Sequence, residues 1–126
     1  MANKLEHMEK IFNTQSINVN DSISPVGIKP LHLACAKDRT DFVKSLLNLG
    51  ANPNEVEQTN KTALHVAASE SRESDEILKL LVAAGAEIDA VTIGGETALM
   101  KALYFGRPHA VKFLLESGAS VTAVNA

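Results

Sequence analysis

The feature that most constrains this chain is an internal repeat. Three leucines, spaced 33 and 35 residues apart, each open an apolar run: Leu31, Leu64 and Leu99. A Gly-Ala pair also occurs three times, at intervals of 35 and 33 residues: Gly50, Gly85 and Gly118. A fixed period of roughly 20 to 50 residues is typical of chains built from stacked copies of one small unit. The sequence therefore predicts a solenoid.

Within each unit the apolar residues follow a helical period. In the first unit, Leu31, Ala34 and Cys35 fall at positions i, i+3 and i+4, and the run from Phe42 to Leu47 repeats this spacing. Each run is too short to be a stable helix by itself in water. We therefore expect each unit to be an antiparallel helix pair. The glycine after the second helix should adopt a positive φ and end it.

The middle unit is two residues longer than its neighbours. Ala67 and Gly85 are 18 residues apart, whereas the corresponding alanine and glycine of the other units are 16 apart. The extra residues lie in "SESRESDE", between the two helical runs. Loop tips commonly tolerate such insertions. The alternative is a functional segment, either a specific contact or a phosphorylation site at Ser69, Ser71 or Ser74.

The three units resemble the ankyrin repeat. That family opens its first helix with T-P-L-H-x-A-A, continues with V-V-x-L-L in the second helix and follows it with G-A. The matching segments are "KPLHLAC…FVKSLLNLGANPN", "TALHVAA…EILKLLVAAGAEID" and "TALMKAL…AVKFLLESGASV". The resemblance covers residues 24–124. It implies an all-α ankyrin-repeat solenoid, in which stacked antiparallel helix pairs are joined by β-turn loops.

The resemblance also suggests boundaries for the repeats. We expect ankyrin repeats at residues 24–56, at 57–91 with the two-residue insertion, and at 92–126. Residues 1–23 carry a helical stripe of apolar side chains and are interpreted as a degenerate N-terminal capping repeat. The last repeat is interpreted either as a weak cap or as one that further repeats follow in a longer protein.

Several positions depart from the family motif. A threonine normally caps the first helix through its hydroxyl. Thr62 and Thr97 can do so, but the first repeat has Lys29 there, followed by Pro30, which presets the first turn. Met100 replaces the motif histidine in the third repeat.

The histidines and the cysteine have structural interpretations. The resemblance implies that His32 and His65 hydrogen-bond the loop backbone and tie neighbouring repeats together, one repeat apart, so they should not converge on a metal. Cys35 occupies an alanine position and is interpreted as a small core residue. Since no catalytic, phosphate-binding or metal-binding motif is recognisable, we predict a protein that is not an enzyme and needs no cofactor.

Composition and charge exclude other classes. The formal charge is −3, which disfavours nucleic-acid binding. No stretch is long and apolar enough to predict a membrane span. The apolar fraction is 45% and the aromatic fraction 4%, which favours a core of aliphatic side chains and close helix packing. The single cysteine favours a reducing compartment, so we expect an intracellular location, in the cytoplasm or the nucleus.

The resemblance implies that the chain, as a monomer, binds another protein through the concave face and the turn tips. Carried over by position, the candidate residues are Gln58, Thr59, Lys61, Ser69, Glu70, Ile93, Glu96, Lys101, Tyr104 and Phe105. Of these, Ile93, Tyr104 and Phe105 are the strongest candidates, because exposed aromatic and aliphatic side chains often anchor interfaces. The alternative is that one of the rings packs against the next repeat or fills the open C-terminal end of the stack.

Charge and context leave further alternatives open. Residues 55–96 carry a net charge of −6, which would steer a basic partner or would simply form a solvated acidic face. Two other functions are also compatible with the sequence. One is a substrate-recruiting or regulatory domain of a larger enzyme, and the other is a small inhibitor of a signalling protein.

Overall fold

The computed structural model describes residues 27–70 and 75–120. Within these ranges the chain forms six α-helices and no strand: α1 Pro30–Ala36, α2 Thr40–Asn48, α3 Ala63–Glu70, α4 Glu76–Ala83, α5 Ala98–Tyr104 and α6 Pro108–Glu116. The predicted N-terminal capping repeat and half of the segment that carries the insertion, including Ser71 and Ser74, lie outside the described residues.

The helices pair and stack as the repeat predicts. Each pair consists of two consecutive helices in contact: α1 with α2, α3 with α4, and α5 with α6. The first helices form one layer, in which α3 lies between α1 and α5, while α2 contacts α4 in the second layer. The predicted all-α solenoid of stacked helix pairs is confirmed.

The core is aliphatic and has small residues where the helices cross. Leu46, Leu64 and Leu81 are almost fully buried. Alanines such as Ala67 and Ala102 are buried in the layer of first helices. Their short side chains allow the helix backbones to approach closely, so the many alanines of this sequence are explained by stacking.

Glycine ends the second helix of every repeat. Gly50, Gly85 and Gly118 have φ values of +99°, +100° and +98°. In each case the next residue donates its N–H to a carbonyl five residues earlier, as Ala51 does to Leu46 at 3.0 Å. This is the Schellman arrangement, which satisfies carbonyls at the helix end. The predicted helix stops are confirmed.

The turn tips are hydrogen-bonded to one another as well as internally. In the last tip, Thr92 donates its N–H to the Glu96 carbonyl at 3.0 Å. Ile93 donates its N–H to the Thr59 carbonyl of the preceding tip, also at 3.0 Å. Asn60 takes a left-handed conformation with φ +67° in the tip of the second repeat. The tips therefore form a continuous row that is anchored by backbone groups.

Candidate partner-binding surface

A groove lies between the first helices of the first and second described repeats. Its volume is about 220 Å³, and Leu33 and Val66 contribute apolar side chains from α1 and α3. Three predicted site residues meet there: Lys61, Ser69 and Glu70. We call this site the inter-repeat groove. A lining that combines charged and aliphatic side chains suits a peptide or a protruding side chain.

Leu33 is a groove residue that the sequence interpretation missed. Its side chain is exposed, although leucine is usually buried. The equivalent positions in the later repeats are Val66 and Lys101. The lysine at the equivalent position of the last repeat indicates that this position is exposed. That comparison could have identified Leu33 as part of the surface.

Ser69 is engaged within its own helix. Its hydroxyl donates to the Val66 carbonyl at 3.0 Å, and its own carbonyl accepts a 2.8 Å hydrogen bond from Arg107 Nε of the next repeat. The residue therefore joins the inter-repeat groove to the last repeat. Arg107 was not among the predicted site residues, because its partner is a backbone group that the sequence alone does not reveal.

Glu96 and Lys101 form an ion pair at the base of the last turn tip. Lys101 Nζ lies 2.8 Å from Glu96 Oε1. The hydrogen bond from Lys101 and its positive charge lower the pKa of the Glu96 carboxyl. The opposite charges of these two predicted site residues largely neutralise each other. The pair therefore offers a partner little net charge.

Tyr104 and Phe105 form an exposed aromatic pair at the end of α5. Their ring centroids are 5.1 Å apart and their planes meet at 85°, an edge-to-face arrangement. Tyr104 is 83% exposed and Phe105 is 46% exposed. Within the described residues the two rings contact each other, and both are exposed.

The turn tips combine a fixed backbone with exposed side chains. Glu57 Oε1 accepts hydrogen bonds from the N–H of Thr59 at 2.8 Å and of Lys61 at 3.1 Å, and also from the Thr59 hydroxyl. Burial opposes ionisation of Glu57, but these hydrogen bonds outweigh it and lower its pKa. The predicted tip residues Gln58 and Thr59 are exposed on this rigid turn.

In the last repeat a shorter side chain holds the tip. Thr92 Oγ1 accepts hydrogen bonds from the N–H of Gly94 at 3.2 Å and of Glu96 at 3.3 Å. The neighbouring Ile93 is 76% exposed, which is unusual for an isoleucine. The tip thus presents an aliphatic side chain without loss of backbone order.

Both motif histidines hydrogen-bond the loop backbone, as the resemblance implies, and His65 also links the second repeat to the third. Nδ1 of His65 accepts the Thr62 N–H at 3.1 Å, and Nε2 lies 2.9 Å from the Glu96 carbonyl. Nδ1 of His32 likewise accepts the Lys29 N–H at 3.0 Å. Because Nδ1 accepts, Nε2 carries the proton. Burial lowers the pKa of both imidazoles below the ordinary value.

Cys35 is fully buried, as expected of a small core residue. Burial raises the pKa of its thiol far above the ordinary value, and the charge of Asp38 adds to this effect. A thiol that stays protonated at neutral pH is a poor nucleophile. Its surroundings therefore suit packing and do not suit covalent chemistry.

Polar side chains also connect repeats on the side of the post-helix loops. Asn54 Nδ2 donates to the Gly85 carbonyl at 3.0 Å, and Asn54 Oδ1 accepts the Glu87 N–H at 2.8 Å. At the next junction, Asp89 Oδ1 accepts the Ser120 N–H at 2.9 Å. Sequence reasoning did not identify these links, although the recurrence of Asn and Asp four residues after the helix-ending glycine was visible.

Two features that the described residues lack bear on function. Across residues 27–70 and 75–120, no group of three or more His, Cys, Asp or Glu side chains is arranged to hold a metal ion. The helices within the same ranges are all too short or too polar to cross a membrane.

Comparison with known proteins identifies the family. A family model described as "Ankyrin repeats (3 copies)" matches residues 1–92 and 73–125. The chain is 32% identical over 117 residues to human transient receptor potential cation channel subfamily A member 1, a match that covers 92% of the chain and 10% of the channel.

Two further relatives have different overall functions. Glycerophosphocholine phosphodiesterase gde1 of Schizosaccharomyces pombe is 35% identical, with 99% of this chain and 11% of the relative covered. Mouse ankyrin repeat and SOCS box protein 11 is 35% identical, with 78% and 30% covered. The chain thus spans only a tenth to three tenths of these relatives. The repeats, the helix caps and these matches show that the chain belongs to the ankyrin-repeat family, whose fold is a non-catalytic module that binds other proteins.

Proposed function

We propose that the chain binds a partner protein through the inter-repeat groove, the turn tips and the aromatic pair. The observation that carries this proposal is the exposure of Tyr104 and Phe105 in edge-to-face contact on a rigid scaffold. Aromatic side chains lose little conformational entropy on binding and bury a large area. A preformed surface of this kind also avoids much of the ordering cost of association.

The inter-repeat groove supports a specific mode of contact. Leu33 and Val66 can receive an apolar side chain of the partner, while Lys61 and Glu70, which also line the groove, can orient polar groups. Apolar contacts at the centre with polar groups around them are the usual anatomy of a protein interface. We infer that groove and aromatic pair contact separate side chains of one partner.

Partner capture with a matched control tests the proposal. The bait is the 126-residue chain, and the test variant carries Tyr104→Ala and Phe105→Ala together. The control is Lys44→Ala, a change at an exposed position of α2 that lies outside the proposed surface. We expect the double variant to lose the partner while its thermal unfolding midpoint stays close to that of the control. Equal affinity of all three proteins for the recovered partner would refute the role of the aromatic pair.

The acidic middle of the chain favours a basic partner segment. Residues 55–96 have a net charge of −6. Part of this charge is compensated locally, because Glu96 pairs with Lys101. If the remaining field steers association, the association rate constant should fall as salt rises from low to moderate concentration. A rate constant that does not depend on salt would mean that the acidic residues only solvate the surface.

A second candidate function is supported by the comparisons. The relatives include a phosphodiesterase and a cation channel of which the matched region is a small part. The chain would then act as a recruiting or regulatory domain within a longer protein. Sequencing the transcript on both sides of the 126 codons tests this function, since a catalytic or channel domain in the same reading frame is expected. A stop codon directly after Ala126, with no upstream coding sequence, would contradict it and would leave a small inhibitor as the alternative.

A further inference from the structure

The inter-repeat groove has the size of a site for one side chain. Its volume of about 220 Å³ is below the roughly 300 to 1,000 Å³ that is usual for pockets that hold a drug-sized molecule. Ile28, Leu33 and Val66 supply aliphatic side chains to its lining. The groove lies between two repeats of the chain, α1 on one side and α3 on the other. It therefore suits a long side chain with an aliphatic stem.

The charged residues of the lining leave one carboxylate without a cation. Glu57 and Lys61 are adjacent, since the Lys61 N–H donates to Glu57 Oε1 at 3.1 Å, and their charges offset each other. His32 is neutral at pH 7, because burial lowers its pKa. Glu70 is half-buried, and across the described residues no ion pair or side-chain hydrogen bond involves it. The net charge of the lining is therefore negative, and Glu70 carries it.

At the next junction the chain supplies such a cation itself. Lys101 stands at the position that Leu33 and Val66 occupy in the earlier repeats, and its Nζ lies 2.8 Å from Glu96 Oε1. This face of the first helices thus accommodates a long cationic side chain beside a carboxylate. In the inter-repeat groove the same positions are aliphatic, so they offer Glu70 no cation.

From the size of the groove, its aliphatic walls and the unpaired carboxylate, we propose that the inter-repeat groove receives one arginine side chain of the partner protein. The aliphatic stem packs between Leu33 and Val66, and the guanidinium pairs with Glu70. The apolar and the polar contact of the groove are then made by a single side chain. This inference rests on the proposed function, because it names the partner residue that the groove takes.

Arginine fits this site better than lysine for two reasons. The planar guanidinium can donate two parallel hydrogen bonds to the two oxygens of the Glu70 carboxylate. It is also less strongly hydrated than an ammonium group, so it is more easily brought to a half-buried carboxylate. The net charge of −6 over residues 55–96 favours the approach of such a cation.

Three matched peptides test the proposal. Each is a short glycine peptide, blocked at both ends, whose central residue is arginine, lysine or citrulline, the uncharged isostere of arginine. Binding to the 126-residue chain is followed by NMR at millimolar peptide, since a single side chain supplies only a weak contact. We expect arginine to bind at least about tenfold more tightly than citrulline and about threefold more tightly than lysine. The amide signals of Leu33, Val66 and Glu70 should shift.

A neutral variant with a matched control identifies the carboxylate. Glu70→Gln keeps the shape of the side chain and should abolish the preference for arginine over citrulline. Glu87→Gln removes one charge from the same acidic region at an exposed position outside the groove, and should retain the preference. Leu33→Ser should weaken both peptides alike, because arginine and citrulline share the aliphatic stem. Thermal unfolding midpoints close to that of the unchanged chain confirm that the variants fold.

Three results would overturn the proposal. The first is equal affinity for the arginine and citrulline peptides, or no measurable binding of either. The second is a shift of amide signals elsewhere while those of Leu33, Val66 and Glu70 stay in place. The third is an equal loss of preference in Glu70→Gln and Glu87→Gln, which would indicate a general effect of charge.

The captured partner separates this inference from the proposed function. Glu70→Gln should weaken partner binding by about tenfold. If Tyr104→Ala with Phe105→Ala loses the partner but Glu70→Gln binds it with full affinity, the proposed function stands and the arginine inference is wrong. If no partner is captured while the arginine peptide binds and Glu70→Gln abolishes its preference, the groove does take arginine and the proposed function is wrong.

Discussion

Nε2 of His65 lies 2.9 Å from the carbonyl oxygen of Glu96, so one imidazole fastens the second repeat to the loop that opens the third. The same ring accepts the Thr62 N–H at Nδ1. Both ring nitrogens are therefore engaged in hydrogen bonds, and only the neutral imidazole can make both of them. Protonation would place a hydrogen at Nδ1 opposite an N–H group. This buried link makes the stack sensitive to acid.

We predict that stability falls as the pH drops below 6.5. Burial lowers the pKa of His32 and His65 from the ordinary value of 6.5, so between the lowered and the ordinary pKa the unfolded chain binds more protons than the folded one. The stabilisation is complete above pH 6.5 and is progressively lost below it. Urea unfolding between about pH 7.5 and pH 5 measures the loss. Glu57 and Glu96, whose pKa values are lowered from 4.5, add a loss of stability near and below pH 4.5, which is mostly outside this interval.

A variant that lacks both motif histidines provides the control for this prediction. His32→Gln combined with His65→Gln should be less stable at neutral pH, because the link across the loop is weakened. Its stability should, however, depend much less on pH over the same interval. A pH dependence as steep as that of the unchanged chain would show that other groups cause the acid sensitivity.

The second prediction concerns the link between the post-helix loops. Asn54→Ala removes the hydrogen bonds to Gly85 and from Glu87 and should lower the free energy of unfolding by about 1 to 2 kcal/mol. Asn54→Asp should cost less, because it keeps the acceptor for the Glu87 N–H, as Asp89 does for Ser120 at the next junction. Chemical denaturation gives both values. If the aspartate variant were as unstable as the alanine variant, the donor to Gly85 would be the dominant bond.

The third prediction concerns the start of α1. Thr97 Oγ1 accepts the Met100 N–H at 3.2 Å, and Thr62 Oγ1 is 3.4 Å from the His65 amide nitrogen. Lys29 stands at the equivalent position, and a lysine side chain has no acceptor for this bond. Lys29→Thr should therefore stabilise the chain by about 0.5 to 1 kcal/mol. Lys37→Thr, at the other end of the same helix, is the control and should bring no such gain in thermal unfolding.

The fourth prediction concerns Cys35. Because the thiol is buried and its pKa is raised, a thiol-specific reagent should modify it only when the chain unfolds. The rate of modification of the native protein should therefore increase with urea in parallel with unfolding. Cys35→Ala should cost only about 1 kcal/mol, because Ala68 fills the equivalent position of the next repeat without strain. Rapid labelling under native conditions would contradict the packing that we describe.

The repeat made much of the fold predictable. The period placed the helix pairs, and the glycines with positive φ, Gly50 among them, were predicted as helix stops because few other residues adopt that conformation easily. The motif threonines and histidines were likewise assigned from position. These features are local, so each copy of the motif specifies them again.

The candidate surface was less predictable, because it depends on contacts between repeats. Tyr104, Phe105 and Ile93 were predicted as surface residues from their position, and the structure places all three in solvent. Leu33 was missed, since nothing in its own repeat shows that the α1 position faces a groove. Asn54 and Asp89 were missed because their hydrogen bonds depend on how far one loop lies from the next.

The hydrogen bonds between repeats have a mechanical consequence. Those that join neighbouring repeats connect residues 31 to 38 positions apart, from the Asn54 bond to Gly85 to the Arg107 bond to Ser69. Within the part of the chain that the structure describes, each repeat is thus fastened only to its neighbours. A pulling force on the C-terminus would load the junction of the last repeat first, and the earlier junctions would carry the tension only after it had yielded. The chain should extend under force in repeat-sized steps. In each step one helix pair unfolds while the remaining stack stays folded.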